Sequence, residues 1–175
     1  MKKIGVILLT LTICLTLTAG CSYQNNSVEY LRIHIRANSN SQEDQSVKYK
    51  IKAEVVNYLT PLITECNSKE QAITLLNLHK LNIEKVCDKV LSDSGFGYKA
   101  EVAVRNELFP TRVYGEFTLN EGFYDALIVE LGKAKGDNWW CVVYPPLCFA
   151  GNDTNVVYKS KILEIINRFK ASANT

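Results

Sequence analysis

The sequence predicts an α+β domain, with an antiparallel or mixed sheet of about four strands, two long helices inserted after the first strand and a short C-terminal helix. Three observations predict it. Residues 31–37 alternate apolar and basic side chains without a break, which is the period of a half-buried strand. Two serine-led capping boxes then open stretches whose apolar residues recur at helical spacing. Beyond residue 98 alternation returns, interrupted by turn-forming Gly, Pro and Asn.

In the first strand Leu31, Ile33 and Ile35 point one way and Arg32, His34 and Arg36 the other, so His34 is expected on a solvated face. Asn38-Ser39-Asn40-Ser41 breaks that strand. Ser41, with Asp44 three residues on, caps the first helix, whose apolar stripe is Val47, Ile51, Val55, Tyr58, Leu59 and Leu62. Pro61 ends or kinks it near the last turn. Ser68 with Gln71 caps the second helix, which runs to about Ser92 on Ala72, Leu75, Leu76, Ile83, Val86 and Val90. His79 falls on its surface, and Gly95 and Gly97 close it. A meander of strands is expected next, over 99–105, 113–119, 123–131 and 139–144, the last stopped by Pro145-Pro146. Ile162, Leu163, Ile165, Ile166 and Phe169 predict the final helix, inside a C-terminal extension at 151–175.

Of the 175 residues, 47% are hydrophobic and 22% charged, an ordinary globular balance that excludes wholesale disorder. The formal charge is +2, and without Lys2 and Lys3 there are 18 basic residues against 18 acidic. A neutral domain exerts no general pull on nucleic acid or anionic lipid, so neither is expected as its main partner. Those two lysines open a leader whose residues 4–17 are almost wholly apolar, and no charged side chain follows until Glu29. A positive end that stays behind while an apolar helix enters the translocon is the physics of export. Residues 1–20 are therefore expected to be a signal peptide, 21–28 a tether, and 29–150 a domain working outside the cytosol. Leu17-Thr18-Ala19-Gly20-Cys21 resembles a bacterial lipoprotein box, with Thr18 where leucine is usual, and on that resemblance Cys21 takes the lipid. Simple cleavage and an uncleaved anchor are the other fates, because the uncharged stretch is long enough to span a bilayer.

Neither histidine has a cysteine or carboxylate beside it at metal-ligand spacing, so no metal or other cofactor is expected. Setting aside Cys14 and Cys21 leaves Cys66, Cys87, Cys141 and Cys148, which allow three pairings. Cys66 sits in the turn before the second helix and Cys87 near that helix's far end, on the order of 28 Å apart, against the ~7 Å that a disulfide tolerates. Cys141 and Cys148 flank the Pro145-Pro146 bend, as either a disulfide or two small buried thiols. No motif supplies a base for a cysteine nucleophile, and no Gly-x-Ser-x-Gly or paired-carboxylate pattern occurs. The features that suggest binding are Arg36 and Asn38 after the first strand, Arg112 in an aromatic turn, and the adjacent Trp139 and Trp140. Adjacent strand residues face opposite ways, so only one tryptophan enters the core easily. Exposed Trp and Arg anchor protein interfaces, and core packing is the competing reading.

These segments carry a resemblance. Leu31-Arg32-Ile33-His34-Ile35-Arg36-Ala37-Asn38-Ser39 with Glu43-Asp44-Gln45 resembles the opening motif of the stage II sporulation protein R family. Phe109-Pro110-Thr111-Arg112-Val113-Tyr114-Gly115 resembles its central turn. Asn138-Trp139-Trp140-Cys141-Val142-Val143-Tyr144-Pro145-Pro146-Leu147-Cys148-Phe149 resembles its most distinctive block. The blocks stand in order and at the expected spacing across residues 29–150. Asn120-Glu121-Gly122 departs from the family's Pro-Ala-Gly. Ala134 stands where a glycine is common, which argues against left-handed backbone there. The resemblance implies a protein of endospore-forming bacteria, made in the forespore and exported into the septal intermembrane space. It also implies a partner, a membrane-embedded aspartic protease of the mother cell that processes a sigma-factor precursor. On that reading the chain is the protease's activating ligand and not an enzyme, with Arg36, Asn38, Arg112, Trp139 and Trp140 as expected contacts. An exported cell-envelope hydrolase and a lipoprotein binding module are the alternatives.

Overall fold

The computed structural model describes residues 30–115, 117–149 and 156–173; the leader, Cys21 and the tether lie outside them. β1 (Leu31–Arg36) is followed by α1 (Gln42–Ile63) and α2 (Lys69–Asp93). Then come β2 (Ala100–Phe109), β3 (Arg112–Tyr114), β4 (Phe117–Leu119), β5 (Gly122–Leu131) and β6 (Asn138–Tyr144). A single 3-10 turn at Leu147–Phe149 and α3 (Val156–Ala173) complete the described chain. Four strands form one mixed sheet in the order β2-β5-β1-β6, with β1 parallel to β5 and antiparallel to β6. The class is α+β, with both long helices inserted after the first strand, as the sequence predicts.

Local chemistry sets the helix ends. Ser41 Oγ accepts from the Asp44 amide at 3.1 Å and opens α1. Ser68 Oγ accepts from the Gln71 amide at 3.3 Å, and Gln71 Oε1 accepts from the Asn67 amide at 2.8 Å, so both bonds satisfy amides at the N-terminal end of α2. Pro61 lies inside α1, two residues before its end, where a missing N–H costs little of the ladder. Ile51, Val55 and Leu59 of α1 and Leu76, Ile83 and Leu91 of α2 are fully buried. They pack with Leu31, Ile33, Ile35, Leu127 and Val129 on one face of the sheet, and Ile162, Ile165 and Ile166 of α3 join the same core.

Three expectations are corrected. The strands do not form a meander, since β1 lies inside the sheet between β5 and β6. Residues 113–119 do not form one strand either. Gly115, at φ +60°, breaks the segment into the hairpin β3–β4, a separate two-stranded sheet. β2 correspondingly runs on to Phe109. The hairpin packs on the sheet face opposite the helices, where Phe109, Leu119, Tyr124, Ala126, Ile128 and Val142 form a second, smaller core. With both faces of β1 covered, Arg32 and His34 are 0% and 4% exposed; the solvated histidine expected from alternation is buried. His79 is half-buried on α2, and its Nδ1 lies 2.6 Å from the Tyr58 hydroxyl.

Candidate functional site

The even positions of β1 set the second face. In register, Arg32 stands opposite Ala126 and Val142, His34 opposite Ile128 and Trp140, and Arg36 opposite Glu130 and Asn138. β2 adds Arg105, Glu107 and Phe109 from the far side of β5. The hairpin covers the Arg32 end. Arg32 Nη2 donates to the Tyr114 hydroxyl at 2.8 Å. Its guanidinium carbon lies 4.3 Å from the Phe109 ring centroid, 4.9 Å from Tyr124 and 5.7 Å from Tyr114. This aromatic cage offers cation–π attraction where a carboxylate would normally sit. Burial lowers the Arg32 pKa and the Tyr114 contact opposes the fall, yet a guanidinium stays charged at working pH.

Farther along β1 the charges are matched. Glu107 lies 2.8 Å from His34 Nδ1 and also pairs with Arg36, which reaches Glu130 with its other terminal nitrogen. Arg105 joins both carboxylates, at 3.0 Å from Glu130 and 3.2 Å from Glu107. Arg105 is well exposed, so its share of the stability is at most ~1 kcal/mol. Burial pushes the His34 pKa down; Glu107 opposes this and Arg36 adds to it. The imidazole is therefore neutral at pH 7, and its carboxylate partner assigns the proton to Nδ1. The Asn138 side chain lies close enough to favour protonation of the ring, but neither His34 Nε2 nor Asn138 Oδ1 completes a hydrogen bond.

Of the five contacts expected from the sequence, Arg36, Arg112 and Trp140 meet on this face. The Arg112 guanidinium lies 4.2 Å over the Trp140 ring, whose centroid is 5.2 Å from that of His34. Trp139 goes to the opposite face, as strand geometry requires. There it packs on the main core, with Lys52 Nζ 5.5 Å from its ring. Asn38 ties loops together instead. Its Oδ1 accepts from the Lys133 amide at 2.9 Å and its Nδ2 donates to Asp44 at 2.8 Å. Ser39 Oγ and the Tyr98 hydroxyl also donate to Asp44, each at 2.5 Å. The 132–137 loop presses on this knot so closely that a Cβ at Gly136 would sit 2.1 Å from the Ser39 carbonyl oxygen. Ala134 adopts φ +51°, against the expectation that alanine excludes left-handed backbone there. Bonds from the Gly136 amide to Ala37 O (2.8 Å) and from the Lys135 amide to Asn38 O (3.2 Å) hold the loop in that shape.

Cys141 and Cys148 are joined as a disulfide, with Cα atoms 6.0 Å apart, so neither sulfur is a thiolate while the bond lasts. Cys66 and Cys87 are free and buried, and burial raises both thiols, Cys87 to about 12, which makes them packing groups. Among the described residues no group of His, Cys, Asp and Glu is arranged to hold a metal ion, and no helix is long and apolar enough to cross a membrane. Glu107 and Glu130 carry no motif of their own. The one sequence signal for them is three bases alternating along a single strand, which calls for acids on its neighbours.

No solved structure matches the chain. Stage II sporulation protein R of Bacillus subtilis (strain 168) is 33% identical over 119 residues, covering 68% of this chain and 53% of the relative. The chain thus spans about half the length of the curated relative it matches. The family model described as stage II sporulation protein R matches residues 27–154, a span that holds β1 to β6 and all three motif blocks. By that match the chain belongs to the stage II sporulation protein R family, a family of sporulation proteins.

Proposed function

We propose that this chain is an exported signalling protein of endospore formation, which binds the outward side of a membrane-embedded aspartic protease of the mother cell and activates it. The protease then processes a sigma-factor precursor, and the cutting carboxylates belong to it. Family membership supports the sporulation setting. The observation that carries the finer reading is the convergence of three motif blocks, distant in sequence, on one sheet face. Arg32 bonds to Tyr114, Arg112 stacks on Trp140, and His34 packs against the same tryptophan. Arg36, Arg112 and Trp140 are the proposed contacts. Binding activates only if the surface prefers the protease's active arrangement, since a ligand shifts an equilibrium by its differential affinity. The leader at 1–20 supports export to the septal intermembrane space. A lipid on Cys21 would confine the domain to one membrane and raise its effective concentration at the opposing one.

The test co-produces the full chain, the protease and the precursor in a non-sporulating bacterium and follows precursor cleavage by immunoblot. Cleavage should require the leader. Arg112→Ala or Trp140→Ala should lower it by ~10–30-fold, the size of an interface hot spot, with exported level and melting temperature unchanged. If both variants activate like the wild type, this face is not the contact. If the exported wild type triggers no cleavage, the activator reading falls.

A further inference from the structure

Among the described residues, every buried side-chain polar atom left without a hydrogen-bond partner lies on the hairpin-covered face: Arg32 Nε and Nη1, His34 Nε2 and Asn138 Oδ1. Arg36 and Arg105 share Glu107 and Glu130. Arg32 and Arg112 have no carboxylate among the described residues. Arg32 is wholly buried, and its hydrogen bond goes to a neutral phenol. Arg112 gives Nη1 to the Thr111 carbonyl at 3.1 Å, and it stands near enough to Arg32 to lower the latter's pKa by repulsion. Two like charges in a mostly apolar box destabilise each other, and an uncompensated buried cation marks a place where an anion belongs.

We infer that the space between the β3–β4 hairpin and β1 is a carboxylate site, filled by an acidic side chain of a partner polypeptide that comes to lie between Arg32 and Arg112. A carboxylate pairs side-on with the Nε–Nη2 edge of a guanidinium. In Arg32 one corner of that edge is held by the Tyr114 hydroxyl, while Nε has no partner. A carboxylate that takes both corners displaces Tyr114, and with it the three-residue strand β3. Gly115, at φ +60°, is the joint at which that strand turns. Arg112 is on the same strand and supplies the second cation. A planar anion with two oxygens suits that edge, one oxygen on the unpartnered Nε and the other taking Nη2 from the Tyr114 hydroxyl. A tetrahedral dianion would set its remaining oxygens against the aromatic rings of Phe109 and Tyr124. The site belongs to this chain alone and does not depend on the protease reading.

The test uses the full ¹⁵N-labelled protein as purified from cells, observed by NMR at the Arg32 Nε–H and Trp140 indole N–H. The probe is the capped peptide Ac-Gly-Glu-Gly-NH2, with Ac-Gly-Gln-Gly-NH2, Ac-Gly-Gly-Gly-OH and inorganic phosphate as the other arms at constant ionic strength. The glutamate peptide should shift both signals saturably, with a Kd of ~1–100 mM for one or two charge-assisted bonds. The glutamine peptide should shift neither, and the free-terminus peptide and phosphate should bind at least ~5-fold more weakly. Arg32→Met should abolish the effect. Arg112→Gln should weaken it ~5-fold or more, and it decides the matter if Arg32→Met does not fold. Equal shifts from the glutamate and glutamine peptides, or no saturation by ~100 mM, overturn the site. Binding of phosphate or of the free terminus as tight as that of the glutamate peptide overturns the assignment to an acidic side chain.

Discussion

Replacing Asp44 with asparagine tests whether the loop knot, and not the helix cap alone, fixes the start of α1. Asp44 is 5% exposed. Its carboxylate accepts from Asn38 Nδ2 at 2.8 Å, and from Ser39 Oγ and the Tyr98 hydroxyl at 2.5 Å each. A hydrogen bond to a charged group contributes ~1.5–3 kcal/mol and a neutral one ~1 kcal/mol, so neutralising three of them loses on the order of 3 kcal/mol. Asp44 also sits in the first turn of α1, where a negative charge adds ~0.5 kcal/mol. Asp44→Asn should therefore destabilise the protein by about 3 kcal/mol at pH 7, read from urea melts followed by Trp139 and Trp140 fluorescence. Burial alone would raise the Asp44 pKa, but the bonds from Ser39, Tyr98 and Asn38 outweigh it and hold the carboxyl below its usual range. A depressed native pKa stabilises fully above the unfolded value of ~3.9, and that stabilisation is lost as pH falls through the native value. The gap between wild type and variant should thus narrow below about pH 4. A loss under ~1 kcal/mol at pH 7, or a gap unchanged in acid, would refute the reasoning.

Three further outcomes follow from the same contacts. Because the folded pKa of His34 lies below its ordinary value, chiefly through burial, stability should fall as pH drops below ~6.5. His34→Gln should flatten that slope in urea melts at pH 7.5 and 5.5, and equal slopes in both proteins would rule His34 out as the cause. Ala134, at φ +51°, bears the ~1 kcal/mol strain of a Cβ in left-handed backbone, so Ala134→Gly should raise the melting temperature by ~3–5 °C; no rise, or a fall, would show that the loop stores no such strain. Reducing the Cys141–Cys148 bond, which closes a sequence separation of 7, should destabilise by ~2.5 kcal/mol in the loop-entropy account. An unchanged urea midpoint with reductant would count against that account.

Local chemistry made much of the fold readable. Ser41 and Ser68 announce both long helices because a cap needs an acceptor three residues ahead of a specific amide, and that distance is written in the chain. The strand order was not readable. Alternation reports that successive side chains face opposite ways, but not whether the second face meets water or another layer. β1 shows the difference, since Arg32 and His34 alternate like a solvated face and are buried. The 113–119 segment failed for a local reason, as one glycine in left-handed backbone turned an apparent strand into a hairpin. Asn38 looked like a surface contact because nothing near it in sequence reveals the backbone of residue 133, 95 positions away, that its side chain binds.

The candidate face was hidden for the same reason of range, and that range explains its chemistry. Arg32 meets Tyr114 across 82 positions, His34 meets Glu107 across 73, and Arg36 meets Glu130 across 94. Three bases on one strand require compensation from elsewhere in the chain once both faces are covered. Two receive it, from acids on β2 and β5. The third meets aromatic rings and a phenol that can be displaced. Among the described residues Glu107 on β2 and Glu130 on β5 serve the other two bases, yet the most deeply buried cation has no acid and lies directly beneath a short hairpin that carries a second arginine. Stability alone does not explain that arrangement, because an apolar residue at position 32 would fill the cage with no charge to desolvate. Recognition of an anion does explain it.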